Sequence, residues 1–182
     1  MPIYALGDKK PKIHPTAWVH PDAVLIGDVR IGPEVSIWPT VVIRADNSPI
    51  RIGARTSIQD GSMLHTQADN HTTVGKGCVI GHKVHLEGCL IEDSVLIGSN
   101  SVVLEKVVCR TGSLVGASAL VTAGTEVPSG ALAVGVPAKI RLDAVKLERI
   151  TVNADSYVDH LIEHRNTMQE ISVESCLTEA CD

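Results

Sequence analysis

Aromatic residues are nearly absent from this chain. Phenylalanine does not occur, and aromatic residues make up only 2 % of the 182 positions. Ordinary β-sandwiches and helical domains fill much of their cores with aromatic rings, so the shortage argues against both classes. Hydrophobic residues still make up 44 % of the sequence, which is enough for one domain with a sizeable core. We therefore expect a narrow core that is filled by aliphatic side chains.

Long runs of basic or apolar residues are also missing. The formal net charge is −5, and Lys and Arg are not clustered, which argues against nucleic acid or an anionic membrane as a partner. No apolar stretch approaches the ~20 residues that a membrane span needs, and the N-terminus lacks the pattern of a secretory signal. The five cysteines are an odd number without a disulfide-framework spacing. A reduced, cytoplasmic protein is the simplest interpretation.

An aliphatic residue recurs every six positions through most of the chain. A repeat of this length is typical of a parallel β-helix, in which each hexad forms one short strand and one corner. Three hexads close a triangular coil, and stacked coils bury a continuous aliphatic column. The sequence therefore predicts an all-β triangular prism. The anchors of the repeat are Ile13, Val19, Leu25, Ile31, Ile37, Ile43, Ile52, Ile58, Leu64, Val74, Ile80, Leu86, Ile91, Ile97, Val103, Cys109, Val115, Val121, Val127 and Ala133.

Two insertions interrupt the repeat within the predicted β-helix domain, residues 1–142. They comprise residues 46–49 and residues 66–73. Because extra residues cannot follow the hexad path, we expect both insertions to leave the coil as loops, where function tends to concentrate.

The repeat gives way to a helical pattern near residue 143. An amphipathic helix is predicted over residues 143–171, followed by a disordered tail over residues 172–182. His160 and His164 lie four residues apart on this helix, and we interpret both as solvent-facing rather than as a metal site.

The phase of the repeat predicts which polar side chains stack on the outside of the prism. Neighbours in a strand alternate between faces, and successive coils lie ~4.8 Å apart. Two outward columns result, on adjacent faces and beside the two insertions. On the third face of the coil the column contains Arg44, His65 and Glu87. Just after the second face it contains Asp60 and His82, with Gln59 beside Asp60.

At these residues the chain resembles the gamma-class carbonic anhydrases and their relatives among the hexapeptide-repeat proteins, over about residues 10–140. This resemblance implies a left-handed parallel β-helix followed by a C-terminal α-helix, assembled as a homotrimer that shares its metal between subunits. The matching segments are Ile43-Arg44-Ala45-Asp46, Ile58-Gln59-Asp60-Gly61, Leu64-His65, Ile80-Gly81-His82 and Gly135-Val136-Pro137-Ala138-Lys139.

The resemblance also implies the metal ligands. His65 corresponds to a ligand from one subunit, and His82 to the ligand that the adjacent subunit presents. The family's remaining histidine is replaced by Glu87. A His₂Glu set is a recognised catalytic zinc arrangement, so we expect Glu87 to complete the site. Two alternatives are that His85 takes its place or that the site is weakened or lost.

Four further residues correspond to the family's catalytic positions. Gln59 is expected to touch the substrate or the metal-bound water, and Arg44 and Asp60 resemble the inter-subunit ion pair, with Asp46 beside them. Zinc is the expected metal, with iron(II) or cobalt as alternatives.

These assignments favour a zinc-dependent lyase in which metal-bound hydroxide converts carbon dioxide reversibly to bicarbonate. A related option directs the same chemistry at a thioester. An acyl-CoA-dependent transferase is a second class, because many hexapeptide-repeat proteins have that activity. The third is a non-catalytic scaffold with a degenerate metal site, which the replacement by Glu87 keeps open.

Overall fold

The computed structural model describes residues 2–177 of the chain. These residues form a left-handed parallel β-solenoid of about seven turns followed by a single C-terminal α-helix, which confirms the predicted fold. The strands that stack on the second face, β3-β5-β7-β10-β13-β16-β19, run parallel, and β20 adds an antiparallel strand at the end.

Most strands contain two or three residues because each hexad reaches a corner before a longer strand can form. In chain order they are β1 (Ile3–Tyr4), β2 (Lys12–Ile13), β3 (Trp18–Val19), β4 (Val24–Ile31), β5 (Ser36–Ile37), β6 (Val42–Ile52), β7 (Ser57–Ile58), β8 (Met63–His65), β9 (Thr72–Val74), β10 (Val79–Ile80), β11 (His85–Glu87), β12 (Leu90–Ile91), β13 (Leu96–Ile97), β14 (Val102–Val103), β15 (Val108–Cys109), β16 (Leu114–Val115), β17 (Leu120–Val121), β18 (Glu126–Val127), β19 (Leu132–Val134) and β20 (Lys139–Arg141).

The hexad anchors lie on top of one another inside the prism. On the second face the register pairs Ile37 with Ile58 and Ile58 with Ile80, and all three are fully buried. Three cysteines, Cys78, Cys89 and Cys109, join this aliphatic core. Burial raises the pKa of all three thiols, to about 12 for Cys78 and Cys89. Thiols held in this form are poor nucleophiles, so the structure gives these buried cysteines a packing role.

The expectation that residues 46–49 leave the coil as a loop is wrong. Strand β6 continues through them, and the register with β4 shifts between Gly27 and Val29, where the extra residues form a bulge. A bulge keeps the backbone hydrogen bonds on both sides, which a loop would lose. Part of the second insertion, residues 66–73, does leave the coil, as a turn closed by an antiparallel bridge between Gln67 and Asn70, but Thr72 and Thr73 already belong to β9.

Helix α1 (Leu147–Thr167) packs against the second face of the prism, with contacts to β5, β7 and β10. Its buried side chains are Ile150, Ala154, Val158 and Leu161. Leu161 joins a cluster with Trp18 and Trp38, and Arg55 of the prism pairs with Asp155 of the helix at 2.8 Å. The interval predicted to be helical from the sequence, 143–171, extends beyond this helix at both ends.

The prediction that His164 faces solvent is wrong. Its ring centroid lies 4.9 Å from that of Trp38 and 5.5 Å from that of Trp18. The helix docks with this face against the prism, so the half-buried His164 packs against both indole rings, whereas His160 is exposed.

Beyond the helix, Val173–Cys176 form a short 3₁₀ helix with exposed side chains. The remainder of the tail predicted to be disordered, residues 178–182, lies outside the described residues. Within residues 2–177, no helix is long and apolar enough to cross a membrane.

Replacement of Leu25 by Ala should lower the free energy of unfolding by about 2–5 kcal/mol, because the fully buried side chain would leave a cavity in the aliphatic column. Leu142, which is 67 % exposed, provides the matched control, and its replacement by Ala should have little effect. Denaturant unfolding at equal protein concentration measures both. Equal losses in the two variants would contradict a core that runs through the first coils.

Candidate functional site

The register between coils brings the third-face column together. Arg44 pairs with His65 across β6 and β8, and His65 pairs with Glu87 across β8 and β11. All three side chains point outward because each follows an inward anchor of the hexad repeat. The side chains therefore lie on neighbouring rungs of one face.

A continuous set of polar contacts runs along this column. The guanidinium of Arg44 donates a hydrogen bond to Asp46, and Asp46 Oδ1 lies 3.0 Å from His65 Nε2. On the other side of the imidazole, His65 Nδ1 lies 3.4 Å from Glu87 Oε1. Glu87 Oε2 in turn lies 3.3 Å from His85 Nε2. His65 is thus held between two carboxylates.

Both carboxylates are held in the charged form. Partial burial opposes the ionisation of Asp46, but hydrogen bonds from His65 and Arg44 outweigh it and lower the pKa of the carboxyl group. Burial likewise opposes the ionisation of Glu87, and hydrogen bonds with His85, Gln67 and His65 lower its pKa. The column therefore presents two anionic carboxylates beside a histidine, which are ligand types that a divalent metal prefers.

The surroundings of His65 suit a cation. A neutral imidazole has one N–H group, so it can donate to only one of the two carboxylates that flank it. The other nitrogen then faces an oxygen acceptor unless the ring gains a second proton or a cation lies between them. Two ligand atoms on a tetrahedral zinc, each ~2.1 Å from the ion, lie about 3.4 Å apart. The separation of His65 Nδ1 and Glu87 Oε1, 3.4 Å, fits this spacing.

His82 lies on the corner that follows the second face, away from this column. Its Nδ1 lies 2.9 Å from Asp60 Oδ2. Because a carboxylate only accepts hydrogen bonds, Nδ1 is the donor, and in the neutral imidazole the lone pair is then on Nε2. Within residues 2–177, Nε2 has no hydrogen-bond partner, and 52 % of the His82 side chain is exposed. A histidine oriented in this way by a carboxylate is arranged as metal ligands commonly are.

A single chain does not complete a metal site from these parts. Within the described residues, no group of three or more His, Cys, Asp or Glu side chains is arranged to hold a metal ion. The expected ion pair between Arg44 and Asp60 is also not formed within one chain, because Arg44 pairs with Asp46 and Asp60 with His82.

Gln59 is buried on the second face, with only 4 % of its surface exposed. Its backbone N–H donates to the carbonyl of Ile80, and its carbonyl accepts from Ser62. The preceding strand, Ser57–Ile58, contacts helix α1. Gln59 therefore lies beside Asp60, as the sequence predicts, but it has little contact with solvent in the single chain.

Three further residues, Gln67, Ser48 and Lys9, shape the site although no motif in the sequence marks them. Gln67 Nε2 lies 3.5 Å from Glu87 Oε1, and Ser48 Oγ donates to the carbonyl of Gln67 at 2.9 Å. Lys9 Nζ donates to the carbonyl of Asp46 at 2.6 Å. Gln67 and Ser48 lie in the two insertions, which is the only sequence signal that marks them. Lys9 has no such signal, because it reaches the site from the N-terminal segment.

Comparisons with known proteins agree with this architecture. A family profile described as "Bacterial transferase hexapeptide (six repeats)" matches residues 10–45. The carnitine operon protein CaiE of Escherichia coli K12 is 42 % identical over 139 residues, which cover 76 % of this chain and 71 % of that protein. The mitochondrial gamma carbonic anhydrase 2 of Arabidopsis thaliana is 33 % identical over 182 residues, which cover 93 % of this chain and 66 % of that protein.

Two solved structures are also similar over nearly their whole length. One is a provisionally assigned acetyltransferase from Bacillus cereus, with a TM-score of 0.86, 34 % identity and coverage of 90 % of this chain and 96 % of that one. The other is a hexapeptide transferase family protein from Anaplasma phagocytophilum, with a TM-score of 0.86, 32 % identity and coverage of 90 % and 98 %.

Replacement of Gln67 by Ala should raise the pKa of Glu87 toward its ordinary value of 4.5, because a hydrogen bond to the carboxylate is lost. A lowered pKa in the folded state means that Glu87 contributes stability above pH 4.5 and loses it as the pH falls through the lowered value. The variant should lose part of that contribution. The titration of ¹³C-labelled glutamate side chains, followed by NMR in metal-free protein, measures the pKa.

The exposed Gln169 provides the control for this titration, since its replacement by Ala removes the same side chain from a position beyond the end of helix α1. An unchanged Glu87 titration in the Gln67 variant would show that the contact does not hold the carboxylate.

Proposed function

The chain belongs to the gamma-carbonic-anhydrase-like family of hexapeptide-repeat proteins, and we propose that it is a metal-dependent enzyme that hydrates carbon dioxide reversibly. The active protein in this proposal is a homotrimer with the metal at each subunit interface. A cytoplasmic location and the absence of a nucleic-acid partner belong to the same proposal. The observation that carries it is the His82–Asp60 pair, which leaves an imidazole nitrogen on the surface without a partner among residues 2–177.

The proposed ligands come from two subunits. His65 and Glu87 lie on the third face of one chain, and His82 of the partner subunit approaches from its own corner. His65 and His82 point away from different sides of the same prism, so a second copy is needed to bring them to one ion. The two imidazoles and one carboxylate match a recognised zinc set, and iron(II) or cobalt are alternative metals.

A zinc ion held there would lower the pKa of a coordinated water to ~7 and supply hydroxide at neutral pH. The residues of this chain then determine how well the site works. Glu87 contributes a negative charge where the family usually has a neutral histidine, and it therefore opposes release of the proton from that water. We accordingly expect slower turnover at neutral pH than three histidines would give.

Four residues have supporting roles in this proposal. Asp60 orients the imidazole of His82 and fixes which nitrogen is free. Asp46, itself held by Arg44, orients His65 through the Nε2 contact. The carboxamide of Gln59 is assigned to the orientation of carbon dioxide and bicarbonate, and this role requires that subunit assembly exposes it to the substrate.

An acyl-CoA-dependent acyltransferase is the second candidate. The similarity to the provisionally assigned acetyltransferase at 34 % identity favours it. The His82–Asp60 pair suits this reaction as well, because a histidine oriented by a carboxylate can act as a general base toward an acceptor hydroxyl or amine. The two candidates differ in whether His82 binds a metal or a proton.

Replacement of His82 by Ala should remove most of the metal and leave the trimer intact, because the loss of a partner that merely orients a ligand already costs ~10–100-fold in metal affinity. Mass spectrometry of the metal content and sedimentation of the same samples measure both properties. The exposed helix residue His160 provides the control, and its replacement by Ala should change neither. Full metal occupancy without His82 would contradict a shared site.

Replacement of Glu87 by His should accelerate carbon dioxide hydration at neutral pH, since a neutral ligand makes the coordinated water more acidic. Each unit by which the pKa of the coordinated water falls gives up to about tenfold more hydroxide at any pH below that pKa. Stopped-flow hydration assays over pH 6–9 should therefore show the Glu87→His profile displaced to lower pH, and Glu87→Ala should lose metal and activity together.

Two results would contradict this assignment. Acetyl transfer from acetyl-CoA that survives chelation of metal, with no hydration in either protein, would favour the acyltransferase. The absence of metal, hydration and acetyl transfer in the wild type would favour a scaffold with a degenerate site.

A further inference from the structure

A stack of positive charges lies on the first face of the prism, away from the residues discussed above. The register pairs Lys12 with Arg30 across β2 and β4, and Arg30 with Arg51 across β4 and β6. Like charges directly opposite one another on neighbouring strands are destabilising. Three cations on consecutive rungs therefore impose a cost on a chain whose formal net charge is −5.

Only the middle cation of this stack is neutralised within residues 2–177. Arg30 forms two hydrogen bonds of 2.9 Å with the carboxylate of Asp28. The exposed side chains of Lys12 and Arg51 have no ion pair or hydrogen bond in this part of the chain. The hydrogen bond from Arg30 lowers the pKa of Asp28 most, and partial burial opposes it. The positive charges of Arg30, Lys12 and Arg51 lower the pKa further.

The stack borders a groove of about 620 Å³ that Lys12, Arg30 and Arg51 line together with the exposed Lys76. The lining also includes Asp93, whose carboxylate accepts the backbone N–H of Lys76 at 2.8 Å. Four cations thus face this region against two carboxylates, Asp28 and Asp93, and both carboxylates are already hydrogen-bonded.

Three stacked glycines form part of the floor of the groove, at positions where a side chain would not fit. Gly32, Gly53 and Gly75 lie on consecutive rungs of this floor. A Cβ atom on Gly53 would lie 2.6 Å from the backbone of Gly75, and one on Gly75 would lie 2.6 Å from the carbonyl carbon of Glu92. The close stacking of coils therefore keeps the floor bare, and a bound molecule could reach the backbone.

We propose that this groove binds a small anion with two or more phosphate groups. Three rungs at ~4.8 Å spread the charges of Lys12, Arg30 and Arg51 over about 10 Å, so a ligand with several anionic groups engages more of them than a single phosphate does. Lys and Arg are well suited to phosphate oxygens. The bound anion would offset the repulsion within the stack, and it would stabilise the folded protein by mass action.

Isothermal titration of the full chain with sodium tripolyphosphate at low ionic strength tests the proposal. The double variant Lys12→Gln/Arg51→Gln removes the two cations that have no partner in the described residues. We expect its Kd to rise at least about tenfold, because two charge-assisted contacts are lost. The control Lys106→Gln/Arg141→Gln removes the same charge from exposed positions outside the groove, and its Kd should change by less than about twofold.

Three further measurements make the test decisive. Orthophosphate should bind at least about tenfold more weakly than tripolyphosphate if several charges act together. The Kd of ATP is compared with that of tripolyphosphate. Tighter binding of ATP would show that the site also accepts a planar ring above the glycines, whereas equal or weaker binding would indicate a purely ionic site. Repetition with His82→Ala excludes heat from chelation of a metal, so the result does not depend on the proposed enzyme activity. No binding to the wild type, or equal weakening in the two double variants, would overturn the proposal.

Discussion

The hydrogen-bonded register between successive coils is the constraint on which the molecule depends. Parallel strands can stack only at a spacing of ~4.8 Å and only with inward anchors above inward anchors. Every outward residue therefore belongs to a column, and its neighbours in that column lie a whole coil away in sequence. The contact of His65 with Glu87, like the stack of Lys12, Arg30 and Arg51, follows from this one geometric rule.

The two insertions add what a regular prism lacks. The bulge in β6 carries Asp46 outward to meet His65, and Ser48 from the same bulge bonds to the turn that contains Gln67. A perfect hexad repeat would add one residue per coil to each outward column, and no backbone segment would reach across a column. The irregular residues thus convert a stack of polar side chains into a connected set with defined contacts.

The sequence predicts the features that depend on its periodicity, but it does not predict the features that depend on how distant parts of the chain pack. The fold and the order Arg44, His65, Glu87 along the third face follow directly from the hexad phase. The phase gives no information on how extra residues are accommodated, which is why residues 46–49 form a bulge rather than a loop. Nor does it identify the helix face that docks, so the packing of His164 against Trp18 and Trp38 could not be predicted from residues that lie far apart in the chain.

The position of helix α1 links its length to the number of coils. Leu147, at its start, lies near Gly112 beside the sixth strand of the second face, and His164, near its end, contacts Trp18 in the first strand. The intervening residues rise about 26 Å in a helix, and five steps between coils amount to about 24 Å. The length of the helix therefore matches the length of prism that it spans. A relative with one more coil between these two contact points would need about three more helical residues, almost a full turn, to keep the same aromatic contacts.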